Sequence, residues 1–154
     1  MKLEIPLPLR EEHEELHERL RRATQAGGEV GEAAKALAAL MHPHFVKEDE
    51  FALPALGLLL PLAQGEVTPD MADVLKLTDR LAAELPTMLA EHKAIVGALH
   101  RLAAAARRAG RDDIVAFAHA LTLHAQTEEQ VMYPAALLVG RYVRQRLEET
   151  AAVH

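Results

Sequence analysis

One eleven-residue pattern occurs twice in this chain and constrains its fold more than any other feature. Residues 44–54 read HFVKEDEFALP and residues 124–134 read HAQTEEQVMYP. Both copies place an acid four residues after a histidine and end in a proline. Residues four apart on an α-helix lie on the same face, so each copy directs an imidazole and a carboxylate to one point. The pattern therefore predicts two helices that each present a metal-ligand pair.

Composition also favours helices. Half of the residues are hydrophobic, but only 3% are aromatic. A core with so few aromatic rings must be built from aliphatic side chains, which favours packed helices over a sheet. A chain of 154 residues is long enough to bury a sizeable core in one domain. We therefore expect a single domain over residues 1–154, with residues 1–8 as a short extended lead-in.

Apolar residues recur at helical spacing in four stretches that glycine and proline separate. We expect helices over residues 9–26, 30–53 and 69–109 and a fourth that begins at residue 112 or 113 and runs to about 150, with a turn and a short helical piece over 55–62. Pro43 and Pro86 should bend the second and third helices, and the fourth continues or restarts after Pro134. The predicted fold class is all-α, as an up-down-up-down four-helix bundle.

The repeat is larger than the two motifs, because a Glu-His pair on the preceding helix stands before each of them. These pairs are Glu12-His13 and Glu91-His92. Each half is then a helical hairpin that carries a histidine followed by His-x-x-x-Glu. An approximate two-fold axis would bring six side chains together in the bundle interior, namely His13, His44, Glu48, His92, His124 and Glu128. Four imidazoles and two bridging carboxylates can hold two metal ions.

The ligand types indicate which metal such a site would take. Cysteine is absent, so only imidazole nitrogen and carboxylate oxygen are on offer. These donors suit iron first, with manganese or zinc as alternatives, whereas magnesium and calcium prefer all-oxygen sites. Because buried carboxylates are costly without a cation, we expect the metal-free protein to be less stable or to hold a protonated, hydrated core.

The two H-x-x-x-E-[DE] motifs, each followed by a proline and preceded by a Glu-His pair, resemble the hemerythrin-like, or HHE cation-binding, domain family over residues 13–134. The resemblance implies a four-helix bundle around a non-haem di-iron centre with carboxylate and oxo or hydroxo bridges. It also implies binding of oxygen or nitric oxide, or a role in iron or redox sensing. The family's ligand positions correspond to His13, His44, Glu48, His92, His124 and Glu128.

One departure from that family bears on function. Oxygen-carrying hemerythrins have two histidines four residues apart on the third helix, but here Val96 stands four residues after His92. The pseudo-symmetric position on the first helix is His17, which we predict to supply the fifth nitrogen ligand or to stand just outside the ligand set. Either arrangement disfavours reversible oxygen carriage and favours sensing, iron binding or redox chemistry.

Two further side-chain assignments stay open. Asp49 and Glu129 follow the motif acids directly and are alternatives to Glu48 and Glu128 as metal bridges. Tyr133 is a possible hydrogen-bond donor to a bound ligand, although ordinary packing is the favoured interpretation.

The sequence favours a binding or sensing protein for oxygen, nitric oxide, or iron or redox state. An enzyme with ferroxidase or peroxide-handling activity is the second hypothesis, and a metal-free helical interaction module is the third.

A net charge of −6 argues against a nucleic-acid partner. No apolar run approaches the roughly 18 to 20 residues that span a bilayer. We expect a soluble cytoplasmic protein whose partner is a small diatomic ligand; the oligomeric state is open.

Overall fold

A computed structural model describes residues 1–153, and every regular element in that range is helical. The α-helices in chain order are α1 (Leu7–Thr24), α2 (Gly28–Lys47), α3 (Leu59–Ala63), α4 (Val74–Arg108), α5 (Asp112–Thr127) and α6 (Tyr133–Val153). Two π-helical turns cover Glu48–Ala52 and Glu128–Met132, and two 3-10 turns cover Pro54–Leu58 and Pro69–Asp73. The all-α prediction and the four-helix bundle are confirmed.

Four long helical segments form the bundle. They are α1, α2 with its π turn, α4, and α5 continued through the second π turn into α6. The fourth segment therefore continues across Pro134. The third segment starts differently from the prediction, because Pro69 opens a 3-10 turn and the α-helix begins only at Val74.

The α1–α2 connection is short because glycine can adopt a left-handed backbone there. Gly27 and Gly28 have φ angles of 74° and 55°, which other residues adopt only with strain. Buried residues of α1 follow at spacings of three or four, so one face of the helix contacts the core. The periodic pattern and the two glycines together produce an antiparallel helical hairpin.

The apolar interior is divided into two clusters. Along α2 the first cluster ends at Phe45 and the second begins at Phe51 in the following π turn. Along α4 the order is reversed, with Met88 in the second cluster and Ile95 in the first. Glu48 and His92 lie between these limits, and on the fourth segment His124 and Glu128 lie between Leu121 of the first cluster and Met132 of the second. Together with His44, one residue before Phe45, they form a polar layer between two apolar cores.

The hydropathy of the helices bears on whether any of them could cross a membrane. Within residues 1–153, none of them combines the length and the apolar character that crossing a membrane requires.

Candidate metal centre

Burial selects almost the same residues as the sequence pattern. Seven polar or charged side chains are buried in the part of the chain that the structure describes. One is Thr78, and the other six are His13, His44, Glu48, His92, His124 and Glu128. The carboxylates of Glu48 and Glu128 belong to residues only 0% and 2% exposed. Charged groups rarely occupy such positions without a compensating partner.

A π-helical turn begins at each motif acid, at Glu48 in the first copy and at Glu128 in the second. The residue five positions later donates its backbone N–H to the carbonyl of that acid, over 2.9 Å from Leu53 to Glu48. A proline follows this donor in both copies, and in a regular α-helix its ring would clash with the carbonyl four residues earlier. The wider turn accommodates the proline, and such turns are frequent at functional sites.

The six side chains form two groups that share one acid. Within each group, one ligand atom per residue lies within 4.8 Å of the others. The first group, subsite A, comprises His44, Glu48, His92 and Glu128. The second group, subsite B, comprises His13, His124 and Glu128. Glu128 is therefore placed to join two cation positions.

Within each subsite the two imidazoles present the same nitrogen to each other. The Nε2 atoms of His44 and His92 are 2.8 Å apart, and those of His13 and His124 are 3.1 Å apart. In both pairs one histidine comes from each helical hairpin. The two pairs are related by the two-fold axis that the repeat predicts.

The outward ring nitrogens of two histidines donate to carboxylates. His124 Nδ1 donates to Glu12 Oε1 over 2.7 Å, and His92 Nδ1 donates to Glu129 Oε1 over 2.9 Å. These acids fix the rings and leave the Nε2 lone pairs directed inward. Two lone pairs at hydrogen-bond distance repel each other unless a cation or a proton lies between them, so the donor set fits a metal ion.

The other two outward nitrogens face acids at longer range. His44 Nδ1 lies 3.7 Å from Glu91 Oε2, while Lys47 Nζ donates to the other oxygen of Glu91 over 2.9 Å. His13 Nδ1 lies 3.8 Å from Asp49 Oδ1. Every histidine of the centre thus has an acid beside its outer nitrogen. The sequence pattern included these acids, but it did not reveal that they face histidines of neighbouring helices.

The outer acids bear on the open question of the bridges. Asp49 and Glu129 have side chains that are 60% and 36% exposed, and both are oriented toward outer ring nitrogens. Glu48 and Glu128 instead lie inside the polar layer. The geometry therefore favours Glu48 and Glu128, the acids four residues after the motif histidines, as the carboxylates that face the metal positions.

Unpaired oxygens and shifted pKa values are a second indication that the centre suits a cation. Glu48 Oε1 and Glu128 Oε2 are buried and find no hydrogen-bond partner among residues 1–153. Burial raises the pKa of Glu128 to about 7. Burial lowers the pKa of His44 to about 4, and also lowers the pKa values of His92 and His124. These three imidazoles are therefore held neutral, which is the form that binds metal.

Tyr133 is a polar member of this centre, which corrects the favoured interpretation that it only packs. Its hydroxyl donates to Glu48 Oε2 over 2.9 Å. The hydroxyl oxygen of Tyr133 also lies 3.3 Å from His92 Nε2 and 3.4 Å from His44 Nε2. Burial raises the pKa of Tyr133, so the hydroxyl keeps its proton and acts as a donor. Its place just before the motif proline was the available sequence signal.

His17 lies outside both subsites. Its ring stacks on Phe45, with ring centroids 3.9 Å apart and planes inclined by 35°. The Phe45 ring also lies 5.1 Å from the ring of His13. Val96, the counterpart of His17, is half-buried on α4. The two alternatives for His17, a fifth nitrogen ligand or a residue just outside the ligand set, stay predictions; its observed contact is aromatic stacking.

A groove between α1 and α2 lies beside subsite B. Its volume is about 740 Å³, and its lining includes His13, His17, Phe45, His42 and Asp49. His13 is thus the residue of the centre that also borders the groove.

Comparisons with known proteins agree with these features. The model of a family described as the hemerythrin HHE cation binding domain matches residues 8–136, and a second match covers residues 83–154. The first range contains both motifs and both Glu-His pairs. Comparison with curated proteins and with solved structures gave no match.

Proposed function

The chain belongs to the hemerythrin HHE cation-binding domain family, and on that premise we propose that it is a non-haem di-iron protein that binds or senses oxygen, nitric oxide, or iron or redox state. The convergence of four inward Nε2 atoms on two buried carboxylates carries the proposal. Unpaired oxygens on both carboxylates support it, because a cation would satisfy them.

Iron is the proposed metal because imidazole with carboxylate and no thiolate is a donor set that suits it, with manganese and zinc as the alternatives. Subsite A would hold one ion and subsite B the other. Bound iron would supply a redox-active centre with room for a small exogenous ligand. The side chains of this chain would hold the ions, and burial in the polar layer keeps the imidazoles of His44, His92 and His124 neutral.

Sensing or binding is preferred to oxygen carriage because of the fifth-histidine position. Val96 stands where oxygen carriers have a histidine, and His17 stacks on Phe45 rather than pointing into either subsite. A centre with fewer nitrogen ligands leaves more positions for solvent or an added ligand, and those positions favour irreversible redox change over reversible carriage. The cytoplasmic location expected from the sequence stays a prediction.

Catalysis is the second candidate, and the groove between α1 and α2 is the observation that favours it. Its volume of about 740 Å³ exceeds what a diatomic ligand needs, and the exposed carboxylate of Asp49 lies beside His13 at its edge. Such an opening would admit a hydrated ferrous ion or peroxide. Ferroxidase or peroxide-handling activity would then use the same two subsites.

Ligand binding by the iron-loaded protein tests the proposal. Ferrous protein is titrated with nitric oxide without oxygen, and separately exposed to oxygen, while its absorption and paramagnetic resonance spectra are followed. We expect a saturable change that His44→Ala and His124→Ala abolish, because both variants lose metal. His100→Ala is the matched control, since His100 is exposed on α4. Full iron loading without any response to either gas would contradict the proposal.

A turnover assay separates the two candidates. Excess ferrous iron or peroxide is added, and product is counted per iron centre. A single stoichiometric conversion supports the binding or sensing function, whereas many turnovers support the enzyme.

A further inference from the structure

The two halves of the metal centre differ at one buried position. Tyr133 is nine residues after His124, and Leu53 is nine residues after His44, so the approximate two-fold axis relates Tyr133 to Leu53. Both residues are fully buried, at 1% and 0% exposure. From this position, only the second half therefore brings a hydroxyl group into the polar layer.

The hydroxyl of Tyr133 forms a hydrogen bond with one carboxylate oxygen of Glu48. It donates to Glu48 Oε2 over 2.9 Å, and the other oxygen, Oε1, lies 3.5 Å from His44 Nε2. Both oxygens of Glu48 are thus directed to subsite A or to the tyrosine beside it. Glu48 accordingly belongs to subsite A and not to subsite B.

The related acid, Glu128, is arranged differently. Its Oε1 lies 3.4 Å from His92 Nε2 in subsite A. Its Oε2 lies 3.3 Å from His124 Nε2 and 3.5 Å from His13 Nε2 in subsite B. Leu53 offers no hydroxyl to hold either oxygen, so Glu128 faces both subsites with one oxygen each.

We propose that Tyr133 is a positioning residue that commits Glu48 to subsite A, leaving Glu128 as the one shared carboxylate and making the two metal subsites unequal. This inference rests on the proposed di-metal function and specifies how the centre is loaded. Subsite A offers two imidazoles and two carboxylates, whereas subsite B offers two imidazoles and the shared carboxylate. Because affinity for a divalent cation rises with the negative charge of its ligands, subsite A fills first.

A cobalt titration tests this order of loading. Metal-free wild type is titrated with Co²⁺, which does not oxidise readily, and binding is followed by calorimetry and by visible absorption. We expect two resolved steps of one ion each. In Tyr133→Phe the ring is kept and the hydroxyl is lost, so Glu48 can turn toward subsite B. The ratio of the two affinities should fall by about tenfold, the lower end of what partners of metal ligands contribute.

Tyr142→Phe is the matched control, because Tyr142 is partly exposed on α6 and its hydroxyl accepts from Arg146, away from the centre. It should titrate like the wild type. Circular dichroism establishes that each variant is folded before titration.

Two acid variants assign the steps without relying on Tyr133→Phe. Glu48→Gln removes charge from subsite A alone, so it should weaken the tighter step and spare the weaker one. Glu128→Gln removes the shared charge and should weaken both steps. Equal losses in both steps from Glu48→Gln would overturn the inference even if the tyrosine variant failed to fold.

Further outcomes separate the inference from the proposed function. Two steps in the wild type with an unchanged affinity ratio in Tyr133→Phe would mean that the tyrosine merely packs. A visible charge-transfer band in the ferric protein that Tyr133→Phe removes would make the tyrosine a direct ligand, which also overturns the positioning role. No Co²⁺ or iron binding by the wild type would overturn the proposed function itself.

Discussion

Acidic side chains beside the metal centre orient its histidines by contacting their outer ring nitrogens. Glu12 and Glu129 accept from the outer nitrogens of His124 and His92, so those imidazoles present their inner nitrogens to a common point. The orientation of a metal-binding histidine is commonly set in this way by an acid behind it. Glu12, which is next to His13 in the sequence, therefore orients a histidine on another helix.

Substitution of His17 tests directly whether this residue is a metal ligand. Because its ring stacks on Phe45 and lies in neither subsite, we expect His17→Ala to keep the iron content of the wild type and to change only the access of added ligand from the groove. Metal analysis and the absorption spectrum check this expectation. Loss of about one iron per chain would instead identify His17 as a ligand.

At the scale of helices, the close contact between α4 and α6 fixes how the second hairpin packs. Gly140 on α6 lies against Thr78 on α4, and an added methyl group would come within 2.2 Å of Thr78 Oγ1. Thr78 is buried and β-branched, so it has little freedom to move aside. The absence of a side chain at residue 140 is what allows this approach.

We therefore predict that Gly140→Ala lowers the free energy of unfolding by about 1–3 kcal/mol through overpacking. Gly97→Ala is the matched control, because its methyl group would meet only the Arg101 guanidinium at 3.7 Å. That control should be neutral or raise stability by up to about 1 kcal/mol, since alanine favours helix more than glycine. Equal effects of the two substitutions in urea unfolding would show that the α4–α6 contact is not tight.

Much of the element structure could be predicted from the sequence, because helical periodicity and glycine breaks act locally. The six inner residues were also predictable. Spacing of four on a helix puts His44 with Glu48 and His124 with Glu128 on one face, and the repeated Glu-His pairs indicate His13 and His92. The π turns were not predictable, because one extra residue per turn leaves little trace in a periodicity of 3.6. The contacts of Tyr133 and Glu129 were not either, because they depend on how separate helices face each other.

In the molecule as a whole, the buried histidines and glutamates lie in a layer between two apolar clusters. Burial holds the pKa of Glu128 near 7, above its ordinary value of 4.5. Between these two pH values the metal-free folded state binds a proton that the unfolded state has lost. The contribution of Glu128 to stability is therefore present below pH 4.5 and is lost as pH rises through about 7.

Comparison with Glu128→Gln isolates this contribution, because glutamine does not titrate. In metal-free protein, the wild type should lose stability relative to the variant by about 3 kcal/mol as pH rises from 4.5 to 8, since each pKa unit corresponds to about 1.4 kcal/mol. Urea unfolding at several pH values measures the difference. Saturating metal should abolish the loss in the wild type. A difference that does not change with pH would contradict the pKa shift of Glu128.

We propose that the polar layer between the two apolar clusters holds two iron ions. The most direct test is the iron content of the purified protein after anaerobic loading and removal of unbound metal, together with its absorption spectrum after oxidation. We expect about two iron ions per chain and a charge-transfer band in the near ultraviolet. Fewer than about one iron per chain, with no such band, would contradict it.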